Sequence, residues 1–156
     1  MSSHMKIIVA VNASNCIDFE TTSDDRQRFA ALTIDGACVC GRKTWDTLPT
    51  IARKNRSWHV LTRDVNVRRY EGGPFYHHGH IGELLEQIDG QHLWVCGGGE
   101  IYQQAVQEAT HLYISRFVGQ SGGSIEFPPI DASRWEMICS QTHPNHLFQI
   151  LRRRNP

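Results

Sequence analysis

The alternation of short apolar runs with helix-patterned stretches constrains this chain more than any other feature. Residues 6–11 (KIIVAV) form a continuous β-branched run, which reads as a strand covered on both faces. Residues 23–33 (SDDRQRFAALT) follow, with Ser23 or Asp24 as N-cap and with Phe29 and Leu32 on one face, which predicts a helix of two to three turns. The pattern then repeats. ACVCG at 37–41 is a buried strand, and RKTWDTL opens a short helix that Pro49 closes. SWHVLTR at 57–63 is a third strand and GPFYHH at 73–78 a weaker fourth. IGELLEQI at 81–88 carries apolar residues at 81, 84, 85 and 88, a helical stripe. HLWVC at 92–96 is a strand, EIYQQAVQEA at 100–109 a helix and HLYISRFVG at 111–119 a strand. Two β-rich runs, RWEMICSQT and HLFQILRRR, close the chain around HPN, a hairpin signal. The expected fold is therefore α/β: a mixed, mostly parallel central sheet flanked by helices, with a C-terminal antiparallel hairpin. The 156 residues show no linker and no repeat, so a single domain over 1–156 is expected, with MSSHM at 1–5 set aside as a polar extension.

Composition narrows the function. Sixteen basic and sixteen acidic residues balance to a net charge of zero, which argues against a nucleic-acid or polyanion binder. No apolar run approaches the ~18 residues of a membrane span. Cys16, Cys38, Cys40, Cys96 and Cys139 are odd in number and form no C-x-x-C pair, which suits a reducing compartment, with cytoplasm as the expectation. His77, His78 and His80 lack a matching Cys or Asp cluster, and adjacent strand residues face opposite ways, so no metal site is expected.

Two glycine-bearing segments follow strands and open helices: Gly41-Arg42-Lys43-Thr44 and Gly97-Gly98-Gly99. Glycine suits backbone that a ligand approaches closely, and a helix N-terminus offers free N–H groups. Together with Arg42, Lys43 and Arg63 they could hold a diphosphate and one further phosphate. The bland alternative is a tight turn, a strand stop at Gly41 and solvated basic side chains. The triple glycine is not the G-x-G-x-x-G fingerprint, and no acid follows a second strand to take a ribose hydroxyl. A dinucleotide held here would carry a 2′-phosphate, which favours NADPH over NADH. Asp24 and Asp25 precede an apolar helix face. Capping accounts for one of them. Asp25, Phe29 and Thr33 share a face, so a carboxylate sits among apolar groups, a candidate partner for an amino-heterocycle.

VCGGGEIYQQ, CVCGRKTWDTLP, SWHVLTRD and the Asp25-x-x-x-Phe29-x-x-x-Thr33 pattern occur in the order and rough spacing of dihydrofolate reductases, and IEFPPIDASRWE with the terminal hairpin is also similar to that family. The resemblance runs from about residue 5 to 154, and the GRKTW and GGGEIY segments are its specific part. It implies NADPH-dependent reduction of dihydrofolate by a monomer, with Asp25 and Ser115 as catalytic residues. Ile8, Val9, Ala10, Arg26, Phe29 and Leu48 would surround the substrate. The glutamate tail would go to Arg56, with Arg53 as the alternative. The cofactor would lie along Ala10, Ile17, Gly41, Arg42, Lys43, Thr44, Leu61, Thr62, Arg63, Cys96, Gly97, Gly98, Gly99, Glu100, Ile101 and Tyr102. The resemblance also implies a cis bond at Gly97–Gly98. Three departures stand out. Aligning Ile17 and Asp25 leaves the active-site lid loop about five residues short of the family's usual length. Arg26 replaces an apolar residue, and Ser124 an acid that supports the lid. Reduced lid exchange and a more open nicotinamide pocket are the expected consequences. A pyrimidine reductase of the riboflavin pathway shares this fold but lacks the Asp-x-x-x-Phe pair. A non-catalytic NADPH- or folate-binding relic is the other alternative.

Overall fold

The computed structural model describes residues 4–88 and 92–155. Eight strands form one sheet: β1 His4–Val11, β2 Ala37–Gly41, β3 Ser57–Leu61, β4 Phe75–His77, β5 His92–Val95, β6 His111–Phe117, β7 Trp135–Thr142 and β8 His146–Arg153. Their order across the sheet is β4-β3-β2-β5-β1-β6-β8-β7. The six strands from β4 to β6 run parallel, and β8 pairs antiparallel with both β6 and β7. The helices are α1 Ser23–Thr33, α2 Arg42–Thr47, α3 Thr50–Arg53, α4 Ile81–Gln87 and α5 Gly99–Ala105.

The apolar run of β1 lies between β5 and β6 and sends alternate side chains to opposite faces. Met5, Ile7, Val9 and Val11 enter one core with Ile81, Leu84, Ile101 and Ala105 of α4 and α5. Ile8 packs on the other face, beside Trp45, Trp58, Trp94 and the α1 residues Phe29 and Leu32. The carboxyl ends of β1, β2, β3 and β5 therefore open onto the loops that start α1, α2 and α5, where ligands of parallel sheets bind.

Several sequence boundaries shift. β1 begins at His4 and Met5 is fully buried, so residues 4 and 5 belong to the sheet. Residues 1–3 of the set-aside extension lie outside the described residues. α5 ends at Ala105 instead of 109, because the N–H groups of Glu108 and Ala109 both turn back to the Ala105 carbonyl as the chain swings into β6. After Pro49 the chain makes the extra turn α3, with Pro49 at its N-cap. Among the described residues no helix is long and apolar enough to cross a membrane.

Candidate active site

Helix α1 covers a cavity of about 200 Å³ on the sheet face. Its walls come from Ile8, Val9 and Ala10 of β1, from Thr21, Asp25, Arg26, Arg28 and Phe29 around α1, and from Cys96, Tyr102, Ser115 and Phe148. Asp25 and Asp24 separate here. Asp24 is half-exposed and accepts from the Thr22 hydroxyl and, at 3.0 Å, from the Asp25 N–H. The Asp25 side chain is 14% exposed, and its Oδ1 accepts the Ser115 hydroxyl at 2.7 Å. Ser115 is buried on β6 opposite Ala10 of β1, so the parallel register itself sets the hydroxyl beneath the helix-borne acid. Tyr102 reaches under the cavity and donates its hydroxyl to the Ile8 carbonyl at 2.8 Å. Burial pushes its phenol well above the ordinary range, so it remains a donor.

Arg26 lines the cavity, and its Nη1 is tied to the Thr21 carbonyl at 2.8 Å. Leu48 and Arg56 do not line it. Leu48, the C-cap of α2, packs into the tryptophan-rich core, and its N–H donates to the Trp45 carbonyl. Arg56 stands beyond Phe29 at the end of α1, where Nε donates to Thr33 Oγ1, Nη1 to the Lys54 carbonyl and Nη2 to the Ala30 carbonyl, at 2.7 to 2.9 Å. A guanidinium has five N–H groups, so two stay free of these bonds and point in a fixed plane. Arg53 instead lies 4.1 Å over the Trp45 ring and donates to the Trp45 carbonyl.

Three further residues complete the site, and sequence reasoning missed them. Arg28 faces Asp25 at 3.5 Å, and its guanidinium meets His143 and His146 of the terminal hairpin. The spacing of three between Asp25 and Arg28 on one helix is a local signal that could have revealed the pair. Nothing local points to the two histidines, since they arrive from the far end of the chain. Asp24, His143 and His146 also bring ligand-type atoms within 4.8 Å of one another. The Arg28 guanidinium lies against both Nε2 atoms, so this cluster already holds a cation of its own.

The glycine segments meet at the ends of β2 and β5. Gly41 N–H donates to the Gly97 carbonyl at 2.8 Å, and the Gly97–Gly98 bond is cis. Gly97 has φ +115°, which an L side chain rarely adopts. A Cβ on Gly98 would stand 3.3 Å from Thr44 Oγ1, and one on Gly99 2.7 Å from Ile125. α2 and α5 start from Gly41 and Gly98, and neither has a side-chain cap. Ile101 is buried, as is Leu61 at the end of β3. Lys43 is exposed, and Thr62 Oγ1 accepts the Asp64 N–H. Two expected phosphate ligands are already paired: Arg42 with Asp64 at 2.9 Å, and Arg63 with Glu100.

Ile17 is held by the loop after β6. Its N–H donates to the Ile125 carbonyl and its side chain packs on the main core. The whole loop between β1 and α1 is stitched to residues 120–127. Ala13 and Ile17 donate to the Gln120 and Ile125 carbonyls, and Phe127 donates to the Asn15 carbonyl. Asn12 accepts from Ser14 and Cys16 and donates to the Gly122 carbonyl. Ser124 is no loss of support, because the acid comes from the other side. Asp18 accepts the Ser124 N–H, the Ser124 hydroxyl and the Ile125 N–H at 2.8 to 3.1 Å. Those backbone donors hold the Asp18 carboxyl below its ordinary 3.8.

Residues 4–151 match the sequence profile of the family described as dihydrofolate reductase. A dihydrofolate reductase of Staphylococcus aureus is 27% identical over 143 residues, 87% of this chain and 85% of the relative. One from Mycobacterium tuberculosis is 31% identical over 94 residues, which cover 59% of this chain and 55% of that relative's length. In fold, the chain is similar to the dihydrofolate reductase of Enterococcus faecalis solved in complex with NADP(H) and RAB-propyl, with a TM-score of 0.82, 22% identity and 97% of each chain covered.

Proposed function

The chain belongs to the dihydrofolate reductase family, and on that premise we propose that it reduces 7,8-dihydrofolate to tetrahydrofolate at the Asp25 cavity. NADPH supplies the hydride, to C6 of the pterin, while N5 takes a proton from water. The observation that carries this reading is Asp25: a carboxylate among apolar walls, with its Oδ1 fixed by Ser115. A carboxylate has roughly four lone-pair sites, and Ser115 and Arg28 both lie on Oδ1. The other oxygen can take the pterin's amino group, and the negative charge favours a protonated N5. Ile8 and Phe29 enclose the ring, and Arg56 receives the glutamate tail with its two remaining N–H groups. The apolar walls from Ile8, Val9 and Phe29 would hold the pterin against the bound nicotinamide and reduce the water around the reacting carbons.

A dinucleotide diphosphate would lie along residues 97–99, where Gly97 holds φ +115° and the Gly41 N–H meets the Gly97 carbonyl. Arg42, Lys43, Thr62 and Arg63 stand where a 2′-phosphate would lie. The five free cysteines suit a reducing cytoplasm, the compartment we propose. NADPH absorbance in the near ultraviolet, followed with and without dihydrofolate, tests the assignment. Loss that requires both protein and dihydrofolate supports it. NADPH binding without turnover would identify a non-catalytic binding protein, and turnover with a ribosylamino-pyrimidine phosphate instead would assign the other reductase chemistry.

A further inference from the structure

We propose that Arg28 is a positioning residue for the Asp25 carboxylate, itself held in place by the unprotonated Nε2 atoms of His143 and His146. The proposal rests on Asp25 being the pterin-binding acid. Arg28 Nη1 lies 3.5 Å from Asp25 Oδ1, 3.4 Å from Ser115 Oγ and 2.9 Å from His146 Nε2. Its Nη2 lies 3.0 Å from His143 Nε2. The guanidinium is also packed 4.4 Å from the centre of the Phe148 ring. One flat cation is thus boxed by an aromatic face, two ring nitrogens and the acid.

Arginine only donates hydrogen bonds, so each ring nitrogen it meets must be an acceptor. Both imidazoles are then neutral and carry their proton on Nδ1. His146 Nδ1 finds a matching acceptor in Asn145 Oδ1 at 2.6 Å. The two rings stack at 4.7 Å and 7°, and His146 stacks in turn on Phe117. Among the described residues, the charged groups acting on His146 come from α1: Arg28, Asp25 and Asp24, whose Oδ2 is 3.9 Å from His146 Nδ1. Burial, then Arg28, makes His146 hard to protonate, against an opposing pull from Asp24 and Asp25. Once a ring is protonated it can no longer accept from Arg28 and repels it. Arg28 then loses the acceptor that fixes its plane, and its place on Asp25 Oδ1 is no longer held. The acid side of the activity profile therefore carries the titration of His146.

The test uses the full chain with Arg28→Met, Arg28→Lys and His146→Gln, NADPH affinity serving as the control for folding. Nitrogen NMR of the imidazoles gives a readout that needs no turnover. In the wild type both rings should show the Nδ1–H tautomer at neutral pH, and His146 should titrate below the ordinary histidine range. In Arg28→Met the His146 titration should rise, and kcat should fall by on the order of tenfold to a hundredfold with NADPH affinity retained. Arg28→Lys, a point charge unable to span Asp25 and two rings, should restore only part of kcat. His146→Gln keeps a non-titrating acceptor, so the fall of its kcat in acid, relative to its own value at neutrality, should be shallower than in the wild type. An unchanged His146 titration in Arg28→Met, or wild-type kcat and acid profile in that variant, would overturn the proposal. If Arg28→Met loses NADPH binding, the Lys and Gln variants decide by the same readouts. A wild type that never reduces dihydrofolate defeats the functional assignment, while the NMR result still judges the Arg28–histidine contact.

Discussion

At residue scale, adjacent acids carry separate tasks. Asp24 is engaged with the helix start, and Asp25 with Ser115 in the cavity. Asp25→Asn preserves shape and removes the charge, so turnover of dihydrofolate at neutral pH should drop by on the order of a hundredfold or more, with NADPH affinity unchanged. Steady-state kinetics beside an NADPH titration checks this, and an equally active variant would shift the role to Asp24. The phosphate side behaves differently, because Arg63 is 88% exposed and already faces Glu100. Arg63→Ala should therefore weaken NADPH relative to NADH by only ~1 kcal/mol, roughly fivefold in Kd. Glu100→Gln frees the arginine and should tighten NADPH selectively. A Glu100→Gln protein that binds NADPH more weakly would show that Glu100 itself contributes to the cofactor site.

At the scale of elements, the loop leading into α1 is short but firmly tied down. Asp18 gathers three donors from residues 124 and 125, and Phe19 rests on Phe117 of β6. Asp18→Ala should speed amide hydrogen exchange at Ser124 and Ile125, and protection there that matches the wild type would reject the staple. The folded pKa of Asp18 lies below its ordinary value, so the staple is complete above about pH 4 and weakens as pH falls lower. The opposite edge of the sheet is sensitive at higher pH. His59 of β3 and His77 of β4 share one hydrogen bond at 2.9 Å, and burial, then His77, lowers His59 to about 4. The folded state keeps His59 neutral while the unfolded chain protonates it near 6.5. Stability is thus intact above that value and is lost progressively from pH 6.5 to about 4. Thermal melts across this range should fall less steeply for His59→Gln than for the wild type, and parallel curves would remove His59 as the cause.

At the scale of the whole molecule, β6 joins the parallel and antiparallel parts of the sheet, and its Leu112 is fully buried. Leu112→Ala should cost about 2–5 kcal/mol. We propose that the chain unfolds as one unit, so denaturation followed by fluorescence and by far-ultraviolet circular dichroism should show one shared, shifted transition. Two separated transitions would mean that the hairpin and the parallel strands melt independently.

The legible part of this protein was the part written in local periodicity. The β-branched run at β1, the stripe of α4 and the turn signal between β7 and β8 each specify an element through near neighbours, and alternation of strand and helix leaves few ways to arrange them. The face shared by Asp25 and Phe29 was readable for the same reason, as were the glycine turns after β2 and β5. Ends of elements were less so: α5 stops at Ala105 because the chain must reach β6, a demand its own helical pattern does not contain. What joins distant segments was decided by the tertiary structure alone. His143 and His146 reach Arg28 across more than a hundred residues, and Asp18 supplies from the lid side the carboxylate that Ser124 lacks. Arg63 meets Glu100 because the chain just past the end of β3 comes beside the start of α5. Hydrogen bonds and ion pairs act over a few ångströms in space and are blind to separation along the chain, so periodicity could name the elements but only the folded sheet could choose their partners.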